Sequence, residues 1–463
     1  MPSPHADSAP IDPYKLDPSR VEEPPTTWLG MLSYCGPGFI LSASIVGSGE
    51  LIATTVLGAK AGFATLWVIL VSCLVKVAVQ LEFGRHTIQT GETCVEAMNR
   101  LPGPKPARVH WTIWAWVLLQ PIKILQVGGI VGGVAMVLGI VWPGVPLAVW
   151  AWGVAGVTAL LVCYGRYRFV ERTSLVLLAM FSLLTLVSVA ALQWTDYAVS
   201  WGDVLSGLGG HVPEGAWIIV IGAFGLTGVG GDEIMHYSYW LLEKGYAAKT
   251  GPYDPADEAW VARARGWIRV MQLDAMLSMV AYTVVTAAFY CLGAAVLHAR
   301  GEAPEGYALI ETLATMYTES LGPWSRHVFL AGALVVLYSS VFAALAAWCR
   351  MYADAFDKLG WVRLHNTTSR RRTIAVLAWA IALSWAAVYL FVQKPVWMVL
   401  WGGVATSAIL LLAVWAAVDF RTRRALPALR PRPIYRAAFW LSAGLIASLA
   451  VWGVTKASIE YFG

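Results

Sequence analysis

Apolar segments long enough to cross a membrane recur along nearly the whole chain, and no other feature limits the fold as strongly. They fall at about 30–57, 64–83, 111–141, 146–165, 171–194, 215–242, 266–298, 325–350, 373–393, 396–418 and 436–456. That makes about eleven spans. Inside hydrocarbon every main-chain N–H and C=O needs an internal partner, a condition that helices meet one segment at a time. The expected fold class is therefore an all-α integral membrane protein. Composition agrees: of 463 residues, 58% are hydrophobic and 13% charged, too few polar groups to cover a soluble chain of this size.

The placement of charge orients the spans. Basic residues gather in the loops after the even-numbered segments, among them Arg85 and Arg100, Arg166 and Arg172, Lys244 and Arg269, Arg363 and Arg372, and Arg421 to Arg432. The opposite loops are short or acidic, with Asp196, Asp203, Glu302 and Glu305. The bias of Lys and Arg toward the cytoplasmic side then puts the N-terminus inside and the C-terminus outside, in a bacterial inner or plasma membrane. Residues 1–27 are polar and Pro-rich and lack a signal-peptide pattern, so they read as a flexible cytoplasmic tail before a transmembrane domain at 28–463. The six cysteines form no CxxC pair, which argues against a disulfide framework or a zinc site. The basic runs follow topology and form no separate domain, so lipid is the expected partner and nucleic acid is not.

Two glycine clusters interrupt long apolar segments at matching places: Gly47-Ser48-Gly49-Glu50 in the first, and Gly228-Val229-Gly230-Gly231-Asp232-Glu233 in the sixth. A five-span block inverts when repeated, so about 28–195 and 214–420 read as inverted repeats with helix 11 appended. In such transporters the first helix of each repeat is broken, and the breaks line a substrate site near the bilayer midplane.

Each break carries carboxylate. Glu50, near mid-segment, is costly there unless paired or functional, with Lys123 as a possible structural partner. Asp232 and Glu233 are consecutive, so one can face a substrate while the other caps the second half-helix. With main-chain carbonyls at Gly47, Ser48, Gly49 and Gly230, the three acids suit a cation. Oxygen ligands without thiolate favour a hard ion such as Mg²⁺ or Mn²⁺ as cargo, with Glu50, Asp232 and Glu233 as its metal contacts and no resident cofactor. Lys123, His236 and Asp274 are candidates for proton or charge coupling, each with a structural alternative: an ion pair for Lys123, an interhelical hydrogen bond for His236, a pair or solvated face for Asp274. Gln80, Gln120, Gln126, Thr227, Thr286, Ser339 and Ser340 add neutral groups that more often bridge packed helices.

Gly36-Pro37-Gly38-Phe39, the interrupted Gly47–Glu50 stretch, Gly58-Ala59, Gly62-Phe63 and Leu66-Trp67 resemble the opening of the Nramp family of divalent-metal transporters. Gln80, Arg85, Thr90-Gly91, Asp274 and Ser339-Ser340 extend the resemblance across the membrane core. It implies the inverted-repeat architecture shared with the amino acid–polyamine–organocation superfamily, with helices 1 and 6 broken. The chain departs from the family where its chemistry is concentrated: the DPGN motif reads Gly47-Ser48-Gly49-Glu50, the MPH motif has no intact equivalent in Gly228 to His236, and the helix 3 acids are absent around Lys123. The expected function is secondary transport of a cation, a divalent metal ion first, by alternating access. A small organic amine or amino acid is the alternative cargo, and a non-transporting receptor the alternative class. No nucleophile–base pair or HExxH site suggests an enzyme.

Overall fold

The computed structural model describes residues 12–164 and 167–462; Arg166 and residues 1–11 of the expected tail lie outside the described residues. Ten helical runs in the described residues are long and apolar enough to cross a membrane, by length and composition. One of them, Gly49–Thr90 with 42 residues, would be about 63 Å long if straight, about twice the hydrocarbon thickness. It turns at Gly62, whose φ of 57° and ψ of −144° lie outside helical space. The run therefore makes two crossings, and the described residues hold eleven spanning helices.

In chain order these are α1 (residues 37–61), α2 (Leu66–Thr90), α3 (Trp111–Val141), α4 (Leu147–Tyr164), α5 (Tyr167–Ala191), α6 in two halves, α6a (Trp217–Leu226) and α6b (Gly231–Glu243), α7 (Glu258–Leu292), α8 (Ser325–Lys358), α9 (Thr367–Val392), α10 (Pro395–Asp419) and α11 (Pro433–Phe462). Their packing repeats itself. α2 lies against α7 and α4 against α9, pairs that occupy the same place in each five-helix block. The contact of α3 with α10 recurs as α8 with α5, the same pair with the two blocks exchanged. This is the inverted-repeat arrangement.

The two glycine clusters behave differently. In α6 the helix stops at Thr227, where ψ swings to 134°, and restarts at Gly231. Gly228 has a φ of 65°, and a Cβ there would stand 3.0 Å from Cys73 Cα, so glycine is required both by conformation and by space. In α1 the expected unwinding does not occur. The main chain stays helical from Pro37–Ile45 through a π-helical stretch Val46–Thr54 into Thr55–Ala61. A π-turn widens the helix and shifts its hydrogen bonds to i→i+5, so glycine-rich sequence is absorbed without an open gap. Close packing accounts for the glycine: a Cβ on Gly49 would meet Leu226 O at 2.9 Å, at the tip of α6a.

Residues 12–27, on the side of the arginine-rich loops, are packed rather than free. Tyr14 OH donates to Glu243 Oε1 at 2.9 Å, the Trp267 indole donates to Glu22 O at 2.9 Å, and Lys249 pairs with Glu22 at 2.8 Å. The sequence composition, which is polar and rich in Pro, carries no trace of these partners on α6b, α7 and the short helix Tyr246–Thr250 between them.

Candidate functional site

The break in α6 leaves the last carbonyls of α6a without helical partners, and the partial negative charge of a helix C-terminus gathers there. α2 supplies what meets them. Ser72 Oγ lies 2.9 Å from both Phe224 O and Thr227 O, which share its one hydroxyl hydrogen. The Lys76 ammonium, fully buried, donates to Phe224 O, to Gly225 O at 3.3 Å and to Thr227 O at 2.7 Å. One cation of the chain itself therefore rests on three carbonyls at the tip of a broken helix.

Beside it stands Glu50, 0% exposed, on the π-helical stretch of α1. Its Oε1 accepts from Thr286 Oγ1 of α7 at 2.9 Å and from the Gly228 N–H at 3.4 Å. Its Oε2 has no hydrogen-bond partner among the described residues. A buried carboxylate oxygen left this way costs free energy unless something charged or polar arrives to meet it.

The second carboxylate group is already engaged. Asp232 and Glu233 occupy the first turn of α6b, where the helix N-terminus favours negative charge. Asp232 Oδ2 lies 3.1 Å from Lys123 Nζ of α3, and Oδ1 accepts from the Trp116 indole at 2.9 Å. Lys123 also donates to Gln126 Oε1 and to Thr406 Oγ1 of α10, both at 2.5 Å. Glu233 is only half-buried and stands close to Gly230, where a Cβ would fall 2.4 Å from its Oε2.

Lys123 thus pairs with Asp232, not with Glu50. Among the described residues no group of three or more His, Cys, Asp or Glu is placed to hold a metal ion. The expected metal contacts Glu50, Asp232 and Glu233 do not converge in this structure, because α1 presents Glu50 to α7 and the tip of α6a, while the restart of α6b turns Asp232 toward α3. Gly49 and Gly230 line the contact of α1, α6 and α10, and Gly47 belongs to the π-helical stretch. The Ser48 side chain lies outside the described residues.

The remaining sequence candidates are placed as follows. His236, one turn after Asp232, is buried with its Nε2 unpartnered among the described residues. Asp274 of α7 accepts from the Gly36 N–H at 2.8 Å and the Gly38 N–H at 2.6 Å, holding the free N–H groups at the start of α1. Lys76, Ser72 and Trp116 are additions that the sequence reading passed over. Lys76 was visible by the rule that picked out Lys123, an ionisable residue inside a spanning segment.

A family model described as natural resistance-associated macrophage protein-like, Nramp, matches residues 38–456. The chain belongs to the Nramp family. It is similar to an uncharacterised protein of Pasteurella multocida, 23% identical over 71% of this chain and 72% of that one. It is also similar to the divalent metal cation transporter MntH of Brucella suis, 25% identical over 61% of this chain; the matched region spans 58% of that relative, less than two thirds of its length. Among solved structures, the manganese transporter of Eremococcus coleocola superposes with a TM-score of 0.67 at 16% identity, over 96% of this chain and 90% of that one, which establishes a shared fold. This Nramp-family chain is an integral membrane secondary transporter of a small cation or solute working by alternating access.

Proposed function

We propose that this Nramp-family transporter carries a small hard divalent cation, with Glu50 as its carboxylate contact and the carbonyls at the tip of α6a as its neutral ligands. One observation carries the reading: the Lys76 ammonium already rests on Phe224 O, Gly225 O and Thr227 O, beside a buried carboxylate with one unpartnered oxygen. Carbonyl and carboxylate oxygens around a positive centre are the surroundings a hard ion takes in exchange for its hydration water. Glu50 Oε2 and the carbonyls receive the cargo as Lys76 withdraws. Asp232 is held by Lys123 and Trp116, so it keeps α3 and α6b in register rather than meeting the ion. The B. suis MntH relative supports a divalent cation, and the arginine-rich loops support a cytoplasmic N-terminus and an external C-terminus.

A second reading has its own support. The group on the carbonyls is an ammonium, so a small organic amine fits the same oxygens. Uptake into proteoliposomes decides between them. Mg²⁺ or Mn²⁺ accumulation that an excess of methylammonium leaves unchanged supports the metal ion; labelled amine uptake without metal uptake replaces it with the amine.

A further inference from the structure

Away from the broken helix, on the face that bears the arginine-rich loops, a cavity of about 450 Å³ opens between the end of α2, the start of α7 and the loop leading into α11. Five arginines line it: Arg85 from α2, Arg265 and Arg269 from α7, and Arg430 and Arg432 from the loop. One carboxylate, Glu82, stands against them, and it is shared. Arg85 is 3% exposed and gives its Nη1 to Glu82, which it shares with Arg421. Arg265 donates to Ala428 O at 2.8 Å, a neutral acceptor. Among the described residues Arg269, Arg430 and Arg432 meet no carboxylate.

Like charges gathered around one cavity repel unless an anion joins them. Guanidinium groups present paired N–H donors in the plane that phosphate oxygens match. Two further groups fit the same ligand. Tyr435 lines the cavity, with the Arg85 guanidinium over its ring at 5.6 Å, and its hydroxyl has no hydrogen-bond partner among the described residues. Ile434, 80% exposed, stands at the cavity edge at the start of α11, where a membrane-facing helix begins. Arginine-lined pockets between spanning helices on the basic face suit lipid phosphates.

We propose that this cavity binds a phosphate group, supplied by an anionic phospholipid whose acyl chains run along α11. The site takes no part in the transport site around Glu50 and does not depend on which cargo that site carries.

The test uses the full-length protein in phosphatidylcholine-like detergent micelles, titrated with short-chain phosphatidylglycerol, with short-chain phosphatidylcholine, or with inorganic phosphate, and followed by thermal unfolding. Phosphatidylglycerol is expected to raise the unfolding temperature of the wild type in a saturable way, and phosphatidylcholine to leave it unchanged. Replacing two of the arginines (Arg269→Gln with Arg430→Gln) should weaken phosphatidylglycerol binding about thirtyfold. A control that removes the same charge elsewhere on this face (Arg371→Gln with Arg372→Gln) should bind as the wild type does. An equal, saturable effect of millimolar inorganic phosphate, lost in Arg269→Gln/Arg430→Gln, upholds the phosphate site and makes its source soluble. Equal weakening in both double variants, or in neither, overturns the proposal.

Discussion

The Lys123–Asp232 pair makes a quantitative claim about what holds α3 to α6b. At 3.1 Å the gross attraction of two unit charges in a medium of effective dielectric about 20 is about 5 kcal/mol. Much of that is offset by the loss of hydration, since both side chains are almost entirely buried. Removing one partner is different, because it leaves the other charge buried without its counter-charge, at a cost of about 3–5 kcal/mol. Lys123→Met should therefore destabilise strongly: Asp232 keeps the Trp116 indole but loses its ammonium, and Gln126 and Thr406 lose a donor. Asp232→Asn should destabilise for the mirror reason. The double variant should be no worse than the worse single one, a coupling of at least about 3 kcal/mol. Denaturant titrations in micelles, read by tryptophan fluorescence, give the four free energies of the cycle. Additive losses would refute the pairing.

Other consequences are narrower. Lys76→Met should strip the tip of α6a of its ammonium and lower stability by more than Lys76→Gln, which keeps a donor for Thr227 O; comparing the two in the same titration checks this. Asp274→Asn should cost about 0.5–2 kcal/mol, because one of the acceptors holding Gly36 and Gly38 becomes a donor, with the loss measured by thermal unfolding. Gly225→Ala should fail to give a folded protein by size-exclusion profile, since its Cβ would sit 2.0 Å from the Gly403 carbonyl oxygen of α10 and neither main chain can yield.

Much of the architecture was legible because the bilayer imposes it. The spans and the break in α6 follow from apolar length and a glycine cluster that cannot stay helical at Gly228. Helix 1 misled because glycine-rich sequence permits unwinding without requiring it; a π-helical stretch keeps the hydrogen bonds of Val46–Thr54 satisfied, and Gly49 is needed for contact with Leu226. Individual carboxylates were legible as costly groups in apolar segments, but their partners were not. Which of Glu50 and Asp232 meets Lys123 depends on how α6b restarts after the break, and sequence spacing says nothing about that rotation. Lys76 lies in a span, but its role appears only when α2 is set against the carbonyls of α6a.

The central claim is that Glu50 meets the cargo. Glu50→Gln keeps the size of the side chain and an oxygen for Thr286 and Gly228, so folding should survive. The decisive measurement is Mn²⁺ and Mg²⁺ uptake by proteoliposomes holding equal amounts of wild type and Glu50→Gln, each confirmed folded by its unfolding temperature. Uptake by the wild type and its near-complete loss in Glu50→Gln is the outcome the account predicts, and wild-type uptake by a folded Glu50→Gln protein would contradict it.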